Sequence, residues 1–290
     1  MISFYNRFFE DWPEVPDRCP TECRFTTGPR EMEDADAVVF HVPTLGSIDG
    51  LRKRPGQLWV AWSMESRAMC PPLDDSTFMR RFDLTMTYER SSDVWDPYFG
   101  PGTVPGLKQP VAARTAAAPV VWLQSNARDR CGRRAFAAEL MRQVRVDSFG
   151  TVLRNQVDLV PPGHCPRIAL YGRYKFTLAF ENSFARDYVT EKLYEPLTAG
   201  SVPVYRGSSD VGDLAPALDS YIDARDFASA AELGAYLDHL DQHDDAYLAY
   251  HEWRSRPWSS SFLAHLDELR DRPLCRLSAI VAARSRGDGA

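Results

Sequence analysis

The segment from Tyr174 to Lys192 gathers two acids, an amide, a phenol, a hydroxyl and an amine: Glu181, Glu191, Asn182, Tyr188, Thr190 and Lys192. Phe176 to Phe180 ahead of them is an apolar run of strand length, closed by the polar residues Glu181 and Asn182. Thr190 suits a helix N-cap and Glu191 the acidic first turn behind it. Ala199 and Gly200 suit the C-cap, and Val202 to Tyr205 is a second apolar run. Open α/β sheets place ligands where a strand end and a helix start meet at clustered polar groups. A lysine beside the unsatisfied N–H groups of a helix start suits a phosphate in particular. Anion binding, with carboxylates close by, is the chemistry expected here.

The surrounding pattern alternates strands with helices and loops. Residues 35–42, 57–64 and 82–88 have the composition of strands, the second ending at Glu65 and Ser66. Residues 98–119 are rich in Pro, Gly and Ala with little periodicity and are expected to be a linker. Beyond them, 120–123 and 146–149 are expected strands around a helical run from Arg133 to Val144. Helical spacing returns at 229–240 and 262–269. The basic residues Arg128, Arg130, Arg133 and Arg134 have, as bare sequence, the look of a solvated face.

At 290 residues and 32.8 kDa the chain has room for one large domain or two medium ones. Its net charge of −6 argues against a nucleic-acid partner. No apolar stretch approaches the roughly 20 residues that cross a bilayer. Residues 1–14 lack the apolar core of a signal peptide. Cys19, Cys23, Cys70, Cys131, Cys165 and Cys275 include no pair of zinc-site spacings, and free thiols are expected for most of them.

Three blocks carry a resemblance to a known family: Phe180-Glu-Asn-Ser183, Asp187-Tyr-Val-Thr-Glu-Lys192 and Ala199-Gly-Ser-Val-Pro-Val204. In order and spacing they resemble the signature of the α1,3-fucosyltransferases, inverting enzymes that use GDP-fucose. Trp59 to Ser66, Phe82 to Tyr88 with Ser92 and Asp93, and Val146 to Gly150 are similar to further blocks of that family. Asp147 to Gly150 and the ending at Cys275-Arg-Leu resemble plant core-type members as well as Lewis-type ones.

The resemblance implies an α/β fold of GT-B type, with two Rossmann-like domains facing each other across a cleft. The expected division is an acceptor-binding domain at 1–115, a GDP-fucose-binding domain at 116–260 and a helical segment at 261–290. The implied reaction moves L-fucose to a GlcNAc-containing oligosaccharide with inversion, giving an α1,3 or α1,4 linkage. Such a transfer needs a base for the acceptor hydroxyl and neutralisation of the departing diphosphate. Glu65 matches the family's general base, although Arg67 stands where the family has proline. Glu191 is the second catalytic carboxylate, directed to the fucose ring while Lys192 turns towards phosphate. Ser125, Asn126, Arg133, Asn182, Tyr188, Thr190, Glu191 and Lys192 are the implied donor-binding set. Arg133 is matched after a one-residue shift, with Arg128, Arg130 and Arg134 as competitors.

No cofactor is implied to be required, a divalent metal being at most stimulatory, because two cations on one diphosphate can replace it. Asp34-Ala-Asp36 has the form of a metal-binding D-x-D but precedes a strand rather than following one, and reads as an acidic turn. Secreted family members often end in Cys-Arg-Leu-Cys, where this chain has Ser278, which argues against that terminal bridge. A cytoplasmic enzyme is therefore expected, or a Golgi-lumen one if the sequence is the catalytic piece of a longer protein. The rival functions are a transferase using another nucleotide sugar and a non-catalytic glycan- or nucleotide-binding protein.

Overall fold

Ala37–His41 and Leu58–Ser63 are buried at every position. Strands of that kind belong in a parallel sheet covered on both faces. A computed structural model describes residues 1–157 and 167–286 and divides the chain into two units, 1–97 with 268–290 and 98–267.

The first unit is built on six strands: β1 (Ile2–Phe4), β2 (Phe25–Thr27), β3 (Ala37–His41), β4 (Leu58–Ser63), β5 (Leu84–Thr87) and β6 (Val94–Trp95). They pair in parallel in the order β2-β1-β3-β4-β5-β6. Alternation of side chains sorts the strands into two cores. Ile2, Phe4, Val39, Val60, Trp62 and Met86 face one side, where Leu277 and Val281 of the helix Pro273–Arg286 cover them. Val38, Phe40 and Trp59 face the other, against Met32 and Ile48.

The second unit holds β7 (Val120–Gln124), β8 (Val146–Gly150), β9 (Phe176–Phe180), β10 (Val202–Arg206) and β11 (Ile222–Asp223). These are again parallel, in the order β11-β10-β9-β7-β8. Val120, Trp122, Phe176, Leu178 and Phe180 pack beneath Leu140 of the helix Arg133–Leu140 and Leu233 and Leu237 of the helix Ala230–Gln242. The opposite face carries Val121, Phe149, Leu170 and Tyr171.

Two boundaries differ from the expected 1–115, 116–260 and 261–290. The chain changes unit between Pro97 and Tyr98, and residues 268–290 rejoin the first unit rather than forming a segment of their own. Leu277 and Val281 explain the second difference, because the first sheet's apolar face needs a cover. The stretch taken for a linker is bound to the second unit. Leu107 in the short helix Val104–Leu107 is fully buried, and its carbonyl accepts a 2.7 Å bond from Arg254. A Cβ on Gly106 would meet Thr198 at 2.4 Å, so only glycine lets this turn lie against the helix Glu191–Ala199. Arg114 donates to the carbonyls of Gly172 and Gly200.

The cysteines also depart from expectation. Cys275 is not left single by Ser278: it bonds Cys19, 256 residues away in sequence, while Cys23, Cys70 and Cys131 are free. Cys165 lies outside the described residues.

Leu277 has no exposure, whereas Leu263 in the second unit is 46% exposed. Leu277→Ala is expected to lower stability by about 2–5 kcal/mol, and Leu263→Ala to stay within about 0.5 kcal/mol. Chemical denaturation of the two variants checks it. Equal losses would remove the helix Pro273–Arg286 as the cover of the first sheet.

Candidate functional site

Strand order in the second unit reverses between β7 and β9. From β7 the chain moves outward to β8, then returns to the other side of β7 to lay down β9. The β7–β9 ladder contains only Val120 with Phe176 and Val121 with Thr177, although β7 pairs with β8 along all five residues. The strands therefore part towards their C-terminal ends. That opening is the position at which doubly wound sheets bind ligands.

Arg133 bridges the opening. It is 2% exposed, and its guanidinium donates to the Phe180 carbonyl at the end of β9 (3.1 Å). It also donates to the carbonyls of Asn126 (2.9 Å) and Arg128 (3.0 Å) beyond β7. The Arg130 amide reaches the Asn182 carbonyl at 2.8 Å, and Arg206 reaches the Cys131 carbonyl at 2.9 Å. Three of the five N–H donors of a guanidinium are thus committed to backbone. Burial lowers the pKa of Arg133. The diphosphate role implied for Arg133 is accordingly joined by a structural one, which the sequence does not reveal because its partners are carbonyls.

Glu181 is the residue that sequence reasoning passed over. Its carboxylate has no exposure and accepts from the Thr190 amide (2.8 Å) and hydroxyl (2.9 Å). Thr190 is the N-cap of the helix Glu191–Ala199, as expected, its hydroxyl also accepting from the Lys192 amide. Gly200 closes the helix in the left-handed conformation, and Pro196 sits inside without ending it.

The expected separation of Glu191 from Lys192 is not observed. The Lys192 ammonium lies 2.9 Å from Glu191 Oε1, 3.1 Å from Thr190 Oγ1 and 3.5 Å from Glu181 Oε2. The rotation of about 100° between helical neighbours governs where Cβ points, not where a four-carbon stem ends. In the first turn that stem is free to curl back to the buried carboxylate. Burial opposes the charge on Lys192, but Glu181 and Glu191 outweigh it and raise its pKa. Burial also acts against the Glu191 carboxylate, yet Lys192 holds its pKa below the ordinary value. For Glu181 burial wins and the pKa rises.

The other expected donor-binding residues fall around the same opening. Asn182 is 5% exposed and accepts from the Ser183 hydroxyl. Tyr188 is 2% exposed, its ring edge-on to Tyr98 at 6.2 Å. Ser125 and Asn126 are exposed at the end of β7, the Asn126 side chain accepting from the Arg128 amide. Arg128, Arg130 and Arg134 are exposed on the same loop and helix start.

Glu65 belongs to the first unit, two residues beyond the end of β4, with its amide on Ser63 Oγ at 3.1 Å. Arg67, standing in place of proline, fixes the following loop. It makes two 2.7 Å bonds to Glu89 and one to the Leu73 carbonyl. Asp36 of the D-x-D pairs with the N-terminal amine. Among the described residues no group of three or more His, Cys, Asp or Glu is placed to hold a metal ion.

Comparison with known proteins bears on both units. Residues 113–288 match the family model described as glycosyltransferase family 10 (fucosyltransferase), C-terminal, and residues 2–99 match fucosyltransferase, N-terminal. A fucosyltransferase-like protein of Arabidopsis thaliana is 33% identical over 274 residues, covering 92% of this chain and 49% of its own length. A 3-galactosyl-N-acetylglucosaminide 4-alpha-L-fucosyltransferase of Bos taurus is 35% identical over 275 residues, covering 89% of this chain and 70% of its own. A 4-galactosyl-N-acetylglucosaminide 3-alpha-L-fucosyltransferase of Pan troglodytes is 32% identical over 278 residues, covering 90% and 75%. A crystal structure of an alpha1,3-fucosyltransferase has the same fold, with a TM-score of 0.65 at 19% identity over 89% of this chain and 81% of that one.

Arg133→Ala is expected to destabilise the protein, because three carbonyls lose their donor and each buried orphan costs about 1–3 kcal/mol. Arg133→Lys is expected to recover little, since one ammonium cannot span acceptors on both strand ends. Thermal denaturation of both variants measures this. A wild-type midpoint in Arg133→Ala would leave Arg133 no part in holding β7 and β9.

Proposed function

The chain belongs to glycosyltransferase family 10, the fucosyltransferases, and on that premise we propose that it transfers L-fucose from GDP-fucose to an N-acetylglucosamine-containing oligosaccharide with inversion. The observation that carries the reading is the polar cluster of Glu181, Thr190, Glu191 and Lys192 at the β7–β9 opening. It sets an ammonium and a helix N-terminus where a nucleoside diphosphate would be neutralised.

In this reading Lys192 takes the departing diphosphate, and Arg133 supports it with the donors not held by backbone. Glu191 faces the sugar, as Lys192 shifts from carboxylate to phosphate. Asn182, Tyr188 and Thr190 bind hydroxyl or phosphate oxygens, and Ser125 and Asn126 contribute from the end of β7. Glu65 removes the proton of the acceptor hydroxyl as that oxygen bonds to the anomeric carbon and the bond to GDP breaks. The proton ends on Glu65, and GDP leaves with the electron pair. A binding protein has no use for such a base. The named relatives include transferases to O-3 and to O-4 of N-acetylglucosamine, and N-acetyllactosamine with an α1,3 linkage is the acceptor reading adopted here. N-glycan core is the alternative acceptor.

No helix among the described residues is long and apolar enough to cross a membrane. Cytoplasm and Golgi lumen differ in redox poise, and a Cys19–Cys275 bridge persists only in the oxidising compartment. Non-reducing peptide mapping of protein from its native source tells the two apart.

Glu65→Gln is expected to lower turnover about 10²–10⁴-fold, the usual worth of general-base catalysis, with GDP affinity unchanged. Turnover is read as GDP release from GDP-fucose against GDP-mannose and UDP-sugars, and the linkage by NMR of the product. Near-normal turnover of Glu65→Gln would take Glu65 out of the mechanism. Release from another sugar nucleotide alone would replace the donor.

Activity is also expected to survive EDTA, because Lys192 and Arg133 supply cationic charge of their own. Complete loss restored by manganese would sink that and return attention to Asp34 and Asp36.

A further inference from the structure

The first unit contains a cavity of about 410 Å³, within the size range of small-ligand sites. Its walls include Phe8, Trp12, Trp62, Met86 and Leu274, with Asp96 as a carboxyl group among them. Trp62 lies on β4, three residues before Glu65. Phe8 stacks on it at 4.8 Å between centroids, and its indole N–H donates to Asp96 at 3.0 Å. One wall comes from residues 8–16 and another from residues 272–274, and the Cys19–Cys275 bridge ties these segments together just behind the cavity.

The chemistry of the lining is selective. Aromatic faces beside one carboxyl group match a pyranose ring, which has an apolar C–H face and a rim of hydroxyl donors. An alkyl chain would leave Asp96 desolvated with a single neutral donor, which is costly. A cationic peptide gains little, because Arg272 lines the cavity with Glu14, and the charge of Arg276 also acts on Asp96. Burial pushes the Asp96 carboxyl up to about 6 against the Trp62 bond and the Arg276 charge, so it has unmet demand for hydroxyl donors.

We propose that this cavity is the subsite for a second pyranose of the acceptor, one that does not carry the reacting hydroxyl, stacked on Trp12 and Trp62 and hydrogen-bonded to Asp96. The assignment rests on the fucosyltransferase reading and adds that the acceptor must be at least a disaccharide for full affinity. Glu65 and Trp62 share the end of one strand, so both pyranoses are held by the same rigid element.

The test uses the full chain with Trp12→Ala, Trp12→Phe and Asp96→Asn, and two acceptors, N-acetyllactosamine and the methyl glycoside of N-acetylglucosamine. Trp12→Ala is expected to raise the KM for the disaccharide about three- to tenfold with kcat within twofold, the scale of one lost aromatic contact. Trp12→Phe should recover most of it, and Asp96→Asn should raise the same KM. The KM for the monosaccharide should not move, nor should hydrolysis of GDP-fucose without acceptor. Equal changes for both acceptors, or none for either, overturn the subsite. Saturation-transfer NMR of N-acetyllactosamine on the protein alone separates this from the donor reading. If the wild type releases GDP from no sugar nucleotide yet binds the disaccharide, and Trp12→Ala abolishes that binding, the cavity stands and the donor reading falls.

Discussion

A buried carboxylate must be answered by charge and hydrogen bonds, or it costs several kcal/mol. Glu181 sits at the end of β9 with no exposure, and the local structure of the second unit is its answer. Two bonds from Thr190 satisfy the carboxylate, and in giving them Thr190 becomes the N-cap of the next helix. The Lys192 ammonium then returns over the helix start, where Glu191 holds it a second time. One constraint so fixes where the helix begins, where its exposed N–H groups point and where the cation rests.

The opening between β7 and β9 needs a second device. Strands that part lose their ladder, and the carbonyls beyond the last pair must find donors elsewhere. Arg133 supplies them from the first turn of its helix, which couples the geometry of the opening to a single guanidinium. A site built this way is rigid at its base, while the exposed Ser125, Asn126, Arg128 and Arg130 line its rim. Preorganisation of that kind is what electrostatic stabilisation of a leaving group requires.

Much of this was legible in the residues. The strand Phe176–Phe180, the Thr190 cap, the Gly200 stop and the strand at 202 follow from local chemistry, and they fall where the sequence puts them. Glu65 at the end of β4 was equally readable. What was hidden depends on partners distant in sequence. Arg133 bonds carbonyls that no side-chain pattern marks, and Glu181 looked like a strand-end polar residue because burial is not written in its neighbours. The curl of Lys192 defeated a rule about Cβ directions that is blind to stem length. β1, β2, β6 and β11, of two or three residues each, are too short for periodicity to register.

The chain ends of the first unit show the same limit from another side. Leu277 and Val281 read as one face of a helix, yet nothing local says which sheet that face covers. Only the apolar side of β1, β3 and β4 decides it. Once the helix is there, Cys275 at its start comes within 5.1 Å, Cα to Cα, of Cys19. The loss of a neighbouring cysteine at Ser278 is then irrelevant to the bridge, because the partner was never nearby in sequence. The bridge lies beside the residues 12–16 and 272–274 that wall the aromatic cavity, so the tie between the chain's two ends holds both the cover of the sheet and the shape of the cavity.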